Sequence, residues 1–437
     1  MFLRNQFYCR LLYCLFAALC LVSIHTIAQV QIPNQDTTSM GLPEIEKRFL
    51  DSNFLLLAAH YNVDAQKALI QQAKVWDNPI LNTDQVIAAN GKFFPYGTFP
   101  DGSYSGQYYI QVQQLIKTAG KRGKLINLAT TNAKLSELQL QDVLRNLRYQ
   151  LRTDFYTLLQ QLGQKSIYEA QLAQLSILLT GMAAQLSAGN IAQKEYLRIQ
   201  ALLITLNQDV TSLNQIIEDV QADLKTLLHI KSWVFIKPVM KVSIEGNAMP
   251  LFNAEILYDT AIKYNPNFLL QQTQTVFQQQ SLSYQKALRT PDLTLGPNFD
   301  RNSNFAPKYF GLGISLPLPI ANSNKGNIKS AEFSVKQQQS LESNAEIELK
   351  NNVSNAYNKL MLILKQNSSI QKDFYEQYQL MYKNILSSYQ QKKINLLEFL
   401  DFFNDYTVSQ IRQLQQQLNL SLSKTEVNFQ AGIDIFK

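Results

Sequence analysis

Glu398 and Asp401 are the carboxylates of this 437-residue chain best spaced to act together. They are three residues apart, so a helix carries both on one face. Repeated around a shared axis, such a pair attracts cations and repels anions. At a helix start the same acids simply complement the macrodipole, and Glu195 presents the same choice. Little else in the chain is equipped for chemistry. The three cysteines, Cys9, Cys14 and Cys20, all fall within the first 28 residues. The rest of the chain therefore has no disulfide, thiolate ligand or thiol nucleophile. His60 and His229 are the histidines beyond that segment, far apart in sequence, and read as ordinary packed or surface residues. No Ser/His/Asp set, metal set or phosphate loop converges, so the expectation is a non-enzyme without a cofactor.

Residues 1–28 read as a secretory signal peptide. Arg4 and Arg10 precede an apolar run from Leu11 to Ile24, and Thr26-Ile27-Ala28 offers a small-x-Ala site for cleavage after Ala28. The formal net charge is +7, or +5 without Arg4 and Arg10. The basic residues are scattered and form no stripe, which argues against a nucleic-acid partner. No later segment is apolar enough to span a bilayer as a helix. An exported chain of this kind either stays soluble in the periplasm or enters the outer membrane as β-strands.

The elements that must position these acids are very long helices. Between Lys121 and Ser187 there is no proline, and Leu140, Leu144, Leu147, Leu151, Phe155, Leu158 and Leu162 recur at steps of three and four. Tyr196, Ile199, Leu203, Leu206, Val210, Leu213, Ile217, Val220, Leu224 and Leu227 form a heptad seam. A stretch of about 65 residues at 1.5 Å each reaches about 100 Å, more than a globular domain requires. Leu349, Val353, Ala356, Leu360 and Ile363 open the matching seam in the second half, which runs on to Ile385 with Asn367 as its polar break.

The halves repeat. Asn53-Phe54-Leu55-Leu56 is echoed by Asn267-Phe268-Leu269-Leu270, and Ile110 and Ile191 correspond to Ile314 and Ile394 at offsets of 204 and 203. Such a steady offset marks an internal duplication. Each half also holds a strand pair. Tyr108, Ile110 and Val112 alternate with glutamines; Phe310, Leu312, Ile314 and Leu316 alternate with Gly311, Gly313 and Ser315. Strict alternation with one polar face is the pattern of a transmembrane strand, apolar toward lipid and polar toward a lumen. Four strands cannot close a barrel, and an open edge is forbidden in lipid, so several copies must combine; three would supply about twelve strands.

Four local patterns then resemble the TolC family of outer-membrane efflux proteins, in particular its CusC/CzcC-like members. They are Val112 to Arg122 with its Gly120-Lys121-Arg122; Ile314 to Ile320 followed by Lys325-Gly326; the tip Ala188-Gly189-Asn190-Ile191 running on to Arg198; and Lys392-Lys393-Ile394-Asn395-Leu396 running on to Asp401. The resemblance implies a mainly α, duplicated fold. Its homotrimer would form a 12-stranded outer-membrane β-barrel continuing into a 12-helix periplasmic α-barrel. It also implies a periplasmic membrane-fusion adaptor docked at Ala188, Gly189, Asn190, Ile191, Lys393, Ile394, Asn395 and Leu396, and an inner-membrane pump, RND type foremost. Glu195, Glu398 and Asp401 match the family's periplasmic gate and acidic rings. One departure stands out: the second tip has Lys392-Lys393 where a glycine is often found.

The expected organisation is a signal peptide (1–28), a first repeat (29–230; hairpin about 80–116, tip near 189), an equatorial linker (231–255), a second repeat (256–425; hairpin about 292–318, tip near 393) and a C-terminal tail (426–437). The expected function is the exit duct of a tripartite efflux system. The outer channel of a type I protein-secretion system uses the same fold, and a soluble periplasmic coiled-coil scaffold is the reading from another class.

Overall fold

The computed structural model describes residues 36–89, 91–102, 104–240, 253–303, 306–368 and 373–436. The signal-peptide segment lies outside the described residues. Strand β1 (Asp36–Met40) leads into helices α1 (Leu42–Ser52) and α2 (Phe54–Lys74). Strands β2 (Ile80–Gln85) and β7 (Tyr108–Ile116) pair antiparallel. Between them are two minor ladders, β3 (Ala88–Ala89) with β4 (Lys92–Phe93) and β5 (Gly97–Thr98) with β6 (Tyr104–Ser105). Helices α3 (Lys121–Ser187) and α4 (Gln193–Leu228) make the first hairpin, and β8 (Val234–Pro238) returns to pair parallel with β1.

The second half repeats the plan: α5 (Ala254–Tyr264), α6 (Pro266–Leu288), β9 (Leu293–Asn302) and β10 (Pro307–Ser315). Helices α7 (Lys325–Ser368), α8 (Asp373–Gln390) and α9 (Leu396–Ala431) complete it. Helix α3 is 67 residues long, about 100 Å at 1.5 Å per residue. Its counterpart is described as α7 up to Ser368 and α8 from Asp373, and the stretch of the second seam around Ile370 lies outside the described residues.

The layers follow one order. The sheet runs β2-β7-β9-β10, and the helices next to it pack as α2, α3, α6 and α7 in the same sequence. Each strand therefore continues into, or out of, the helix beneath it. Further from the sheet, α4 replaces α2 beside α3, and α9 lies between α3 and the α7/α8 arm. Burial divides into three cores. One gathers Ile45, Phe49, Leu151, Phe155 and Leu224 in the first repeat, and a second gathers Leu257, Phe268, Val353 and Leu360 in the second repeat. The third joins both hairpins near their turns through Leu175, Ile199, Tyr382, Phe399 and Phe403.

One boundary differs from expectation. The last helix extends to Ala431, beyond residue 425, because Val427 and Ala431 stay buried. It ends at Gly432, whose φ of 81° supplies the left-handed cap. Asn428 then accepts the backbone N–H groups of Ile435 and Phe436, folding the tail back. Arg152 fixes that tail to Asp434 at 2.5 Å and to Glu46 of α1 at 2.5 Å.

Candidate functional site

The wall of the sheet is two-faced. Cross-strand register puts Ile110 beside Phe299 and Phe299 beside Phe310, and the alternation carries Tyr108, Val112, Leu312 and Ile314 onto that same face. Phe310, Leu312 and Ile314 are 75%, 63% and 67% exposed, far from water-seeking for such side chains. Val112 and Ile110 are also exposed and Tyr108 is half-buried, its ring 5.9 Å from Phe299. Leu316, expected as a strand residue, is exposed but lies one position beyond the end of β10.

The opposite face is polar and flat. Gln111 donates from Nε2 to the Gly296 carbonyl at 3.3 Å, and Gln113 donates to Gln111 Oε1 at 2.6 Å. A Cβ on Gly296 or on Gly313 would stand 2.9 Å from Gln111 Nε2. Glycine at both positions is what lets the amide lie along the wall.

The passage from sheet to helix is a charged joint. Lys117 pairs with Asp77 at 3.1 Å. Four residues on, Lys121 crosses to the second repeat, donating to Asp292 Oδ1 at 2.7 Å and to the Thr290 carbonyl at 2.6 Å. Thr118 adds its backbone N–H to Asp292 and its hydroxyl to the Pro291 carbonyl. Burial pushes the Asp292 carboxyl up, but the Lys121 and Thr118 bonds outweigh it and hold the group below its ordinary value. Arg122 donates to the Lys74 carbonyl and lies 4.5 Å over the Trp76 ring. Gly120 and Asn324, each just before a long helix, share the left-handed region at φ 66° and 60°.

The tips turn alike. At the first, Gly189 has φ 73° and the Asn190 N–H reaches the Gln185 carbonyl at 2.8 Å. At the second, Lys392 has φ 59° and the Lys393 N–H reaches the Ser388 carbonyl at 2.8 Å. Both are the six-to-one closure of a Schellman motif. Lys392 thus takes the conformation that Gly189 takes, and the absent glycine changes the cost of the turn, not its shape. Ala188 caps α3, Ile191 packs against the tip core, and Asn395 caps α9 by accepting the Glu398 N–H at 2.9 Å. Ile394 and Leu396 also pack there, whereas Lys393 is exposed.

Burial and then the nearby Glu195 raise the Tyr389 hydroxyl's pKa. Burial, Asp405 and Asp401 do the same to Tyr378, so two of the tyrosines of α8 feel carboxylates near the tips. Glu398 and Asp401 are exposed on α9. Sequence reasoning passed over Asp405, although its i+4 spacing from Asp401 was visible. It also passed over an aromatic ladder joining α8 to α9: Tyr382 stacks on Tyr406 with ring centroids 4.0 Å apart, and Tyr389 on Phe399 at 4.8 Å. Tyr382 donates its hydroxyl to Gln174 of α3 at 2.7 Å, tying the second hairpin to the first. Among the described residues no group of three or more His, Cys, Asp or Glu side chains could hold a metal ion.

This arrangement is the fold of TolC-like outer-membrane channels. The Campylobacter jejuni CmeC outer membrane channel superposes with a TM-score of 0.71, at 12% identity over 91% of this chain and 87% of that one. CusC superposes with a TM-score of 0.70, at 14% identity over 90% and 92%. The cobalt-zinc-cadmium resistance protein CzcC of Cupriavidus metallidurans is 24% identical over 284 residues, which span 64% of this chain and 63% of the relative's length. The family model for outer membrane efflux proteins matches residues 47–228 and 257–429, both repeats. The chain belongs to the outer membrane efflux protein family.

Proposed function

We propose that this protein is the exit duct of a tripartite efflux system, a homotrimer that conducts cargo passively from a periplasmic adaptor and an inner-membrane pump to the exterior. The observation that carries the reading is the open, two-faced sheet. Among the described residues β2 and β10 each have one neighbouring strand, which leaves both outer edges of the sheet without a second strand. An open edge has no partner in lipid, so membrane insertion requires pairing with other copies. Three copies joined β10 to β2 give twelve strands with the apolar face outward, over twelve helices in the same order. The flanks of the helical layer suit such closure: Ile204 of α4 and Phe333, Ile347 and Leu362 of α7 are large apolar residues left exposed in the protomer.

In this reading the two turns dock the adaptor, and Glu195, Glu398 and Asp401 line the periplasmic end. The repeats are 29–230 and 256–425, with 231–255 between them at the equator. The matched relative is a cobalt-zinc-cadmium resistance protein, which makes divalent transition-metal cations the first cargo to try. Single-particle imaging of the detergent-extracted protein tests the assembly: a threefold tube well over 100 Å long is expected, from 67-residue helices at 1.5 Å per residue plus a barrel. A freely soluble monomer would overturn it.

A further inference from the structure

One cross-strand row of the sheet is unlike the rest of its polar face. Asp84 of β2 stands opposite Tyr109 of β7, Tyr109 opposite Asp300 of β9, and Asp300 opposite Tyr309 of β10. The row therefore reads Asp-Tyr-Asp-Tyr across all four strands. The next row toward the helices reads Asn82, Gln111, Asn298, Gly311, neutral throughout. Beyond it lie Ile80, Gln113, Gly296 and Gly313. Among the described strand positions on this face, charge is confined to the one level.

That level lies near the far end of the sheet, with the Asn302–Pro307 pair of β9 and β10 beyond it. Tyr109 is the second residue of β7, whose other end leads through the joint into α3. Two of the side chains are held in place. Asp300 accepts from Gln107 Nε2 at 2.9 Å and from the Asn302 N–H at 3.1 Å. The Tyr309 ring lies over Gly311, where a Cβ would come within 2.6 Å of it. The neighbouring Arg301 belongs to the opposite face, its guanidinium 5.7 Å from the Tyr108 ring.

We infer that the Asp84–Tyr109–Asp300–Tyr309 row is the charge-selecting element of the duct's outer mouth and favours the exit of cations over anions. The inference rests on the trimeric duct proposed above, because only closure of the sheet carries the row around a lumen. Each protomer then contributes two carboxylates and two tyrosines. Rings of carboxylates concentrate cations and repel anions in a pore, and tyrosine faces add attraction for a cation passing close. The row acts through its field on whatever crosses that level and needs no bound ligand. The cargo class it fits is a metal cation or a protonated organic amine.

Reversal potentials test this with the full-length trimer in planar bilayers under a KCl gradient. The wild type is expected to prefer K⁺ over Cl⁻. Asp84→Asn with Asp300→Asn should cut that permeability ratio several-fold while leaving single-channel conductance nearly unchanged. Asp84→Asn alone, at an exposed position, should shift the ratio less and in the same direction, and covers the case in which the double variant fails to fold. Glu398→Gln with Asp401→Asn separates any contribution from the tip. A trimer that conducts but keeps its ratio in both barrel variants, or loses it only in the tip variant, overturns the inference alone. A wild type that forms neither trimers nor channels overturns the duct reading together with it.

Discussion

Asn53 and Asn265 make the same bonds at corresponding places in the two repeats. Each caps a helix: Asn53 accepts the N–H groups of Leu55 and Leu56, and Asn265 those of Asn267 and Phe268. Each also donates from Nδ2 to the end of its own hairpin, Asn53 to the Leu227 carbonyl at 3.0 Å and Asn265 to the Gln430 carbonyl at 2.9 Å. Both are buried. One amide thus fixes the angle between the short helix that leads to the sheet and the long helix that returns from the tip.

Replacing either asparagine with alanine is expected to destabilise the protein by about 1–2 kcal/mol through loss of the cap, and to leave a buried carbonyl without its donor. Asn→Asp keeps the cap acceptor and removes the donor, so it should recover part of the loss. Urea unfolding followed by circular dichroism measures both; equal stability of the alanine and wild-type proteins would contradict the role.

Lys392→Gly should stabilise the second tip by about 1 kcal/mol, because a side chain in the left-handed region carries a steric cost that glycine avoids. Gly189→Val should do the reverse at the first tip and impair efflux while leaving assembly intact. Growth under metal or drug challenge, alongside trimer detection on unheated gels, separates the two effects. Unaltered efflux in Gly189→Val would count against the docking role of the tips.

Lys121 and Lys117 should respond unequally to the same change. Lys121 is 3% exposed, and its removal takes the ammonium from Asp292 and leaves Thr118 as the remaining donor, a loss of about 2 kcal/mol for a hydrogen bond to a charged group. Lys117 and Asp77 are more open to water, where such a pair contributes about 1 kcal/mol or less. Melting temperatures of Lys121→Met and Lys117→Met, compared in one detergent, test the ranking.

Asp154 gives the fold a pH dependence. One carboxyl oxygen is buried without a hydrogen-bond partner. Burial, with Asp223 of α4 nearby, pushes the group up to about 6, despite a bond from Gln150. A carboxyl raised on folding stays protonated in the native state while the unfolded chain ionises. Stability from this group is therefore full below about 4, falls as pH rises toward about 6, and is level above that. Asp154→Asn should raise the melting temperature at pH 7.5 and change it little at pH 4. An equal effect at both values would sink this account.

Much of the architecture was legible because periodicity is local. Steps of three and four marked the helices, alternation at 108–112 and 310–316 marked the strands, and a near-constant offset exposed the duplication. The echo of Asn53 in Asn267, however, misplaced the partner by two residues. What repeats is the cap, and the structure puts it at Asn265. Helix α6 has 23 residues where α2 has 21, so the matching letters fall inside the helix. A likeness of letters is a weaker guide than a shared bond, which only coordinates reveal.

By itself, then, the sequence determined the helices, the strands, their two faces and the order of the repeats, since each depends on neighbours a few residues away. Tertiary structure decided what distant residues do to one another. The Lys121 side chain meets Asp292 across 171 positions, and Tyr382 meets Gln174 across 208. The Asp84 row exists only because four strands come into one register. It also decided that Lys392 turns as Gly189 does. The closing hydrogen bonds and the packed tip core outweigh the preference of one lysine, and no local rule weighs those contacts.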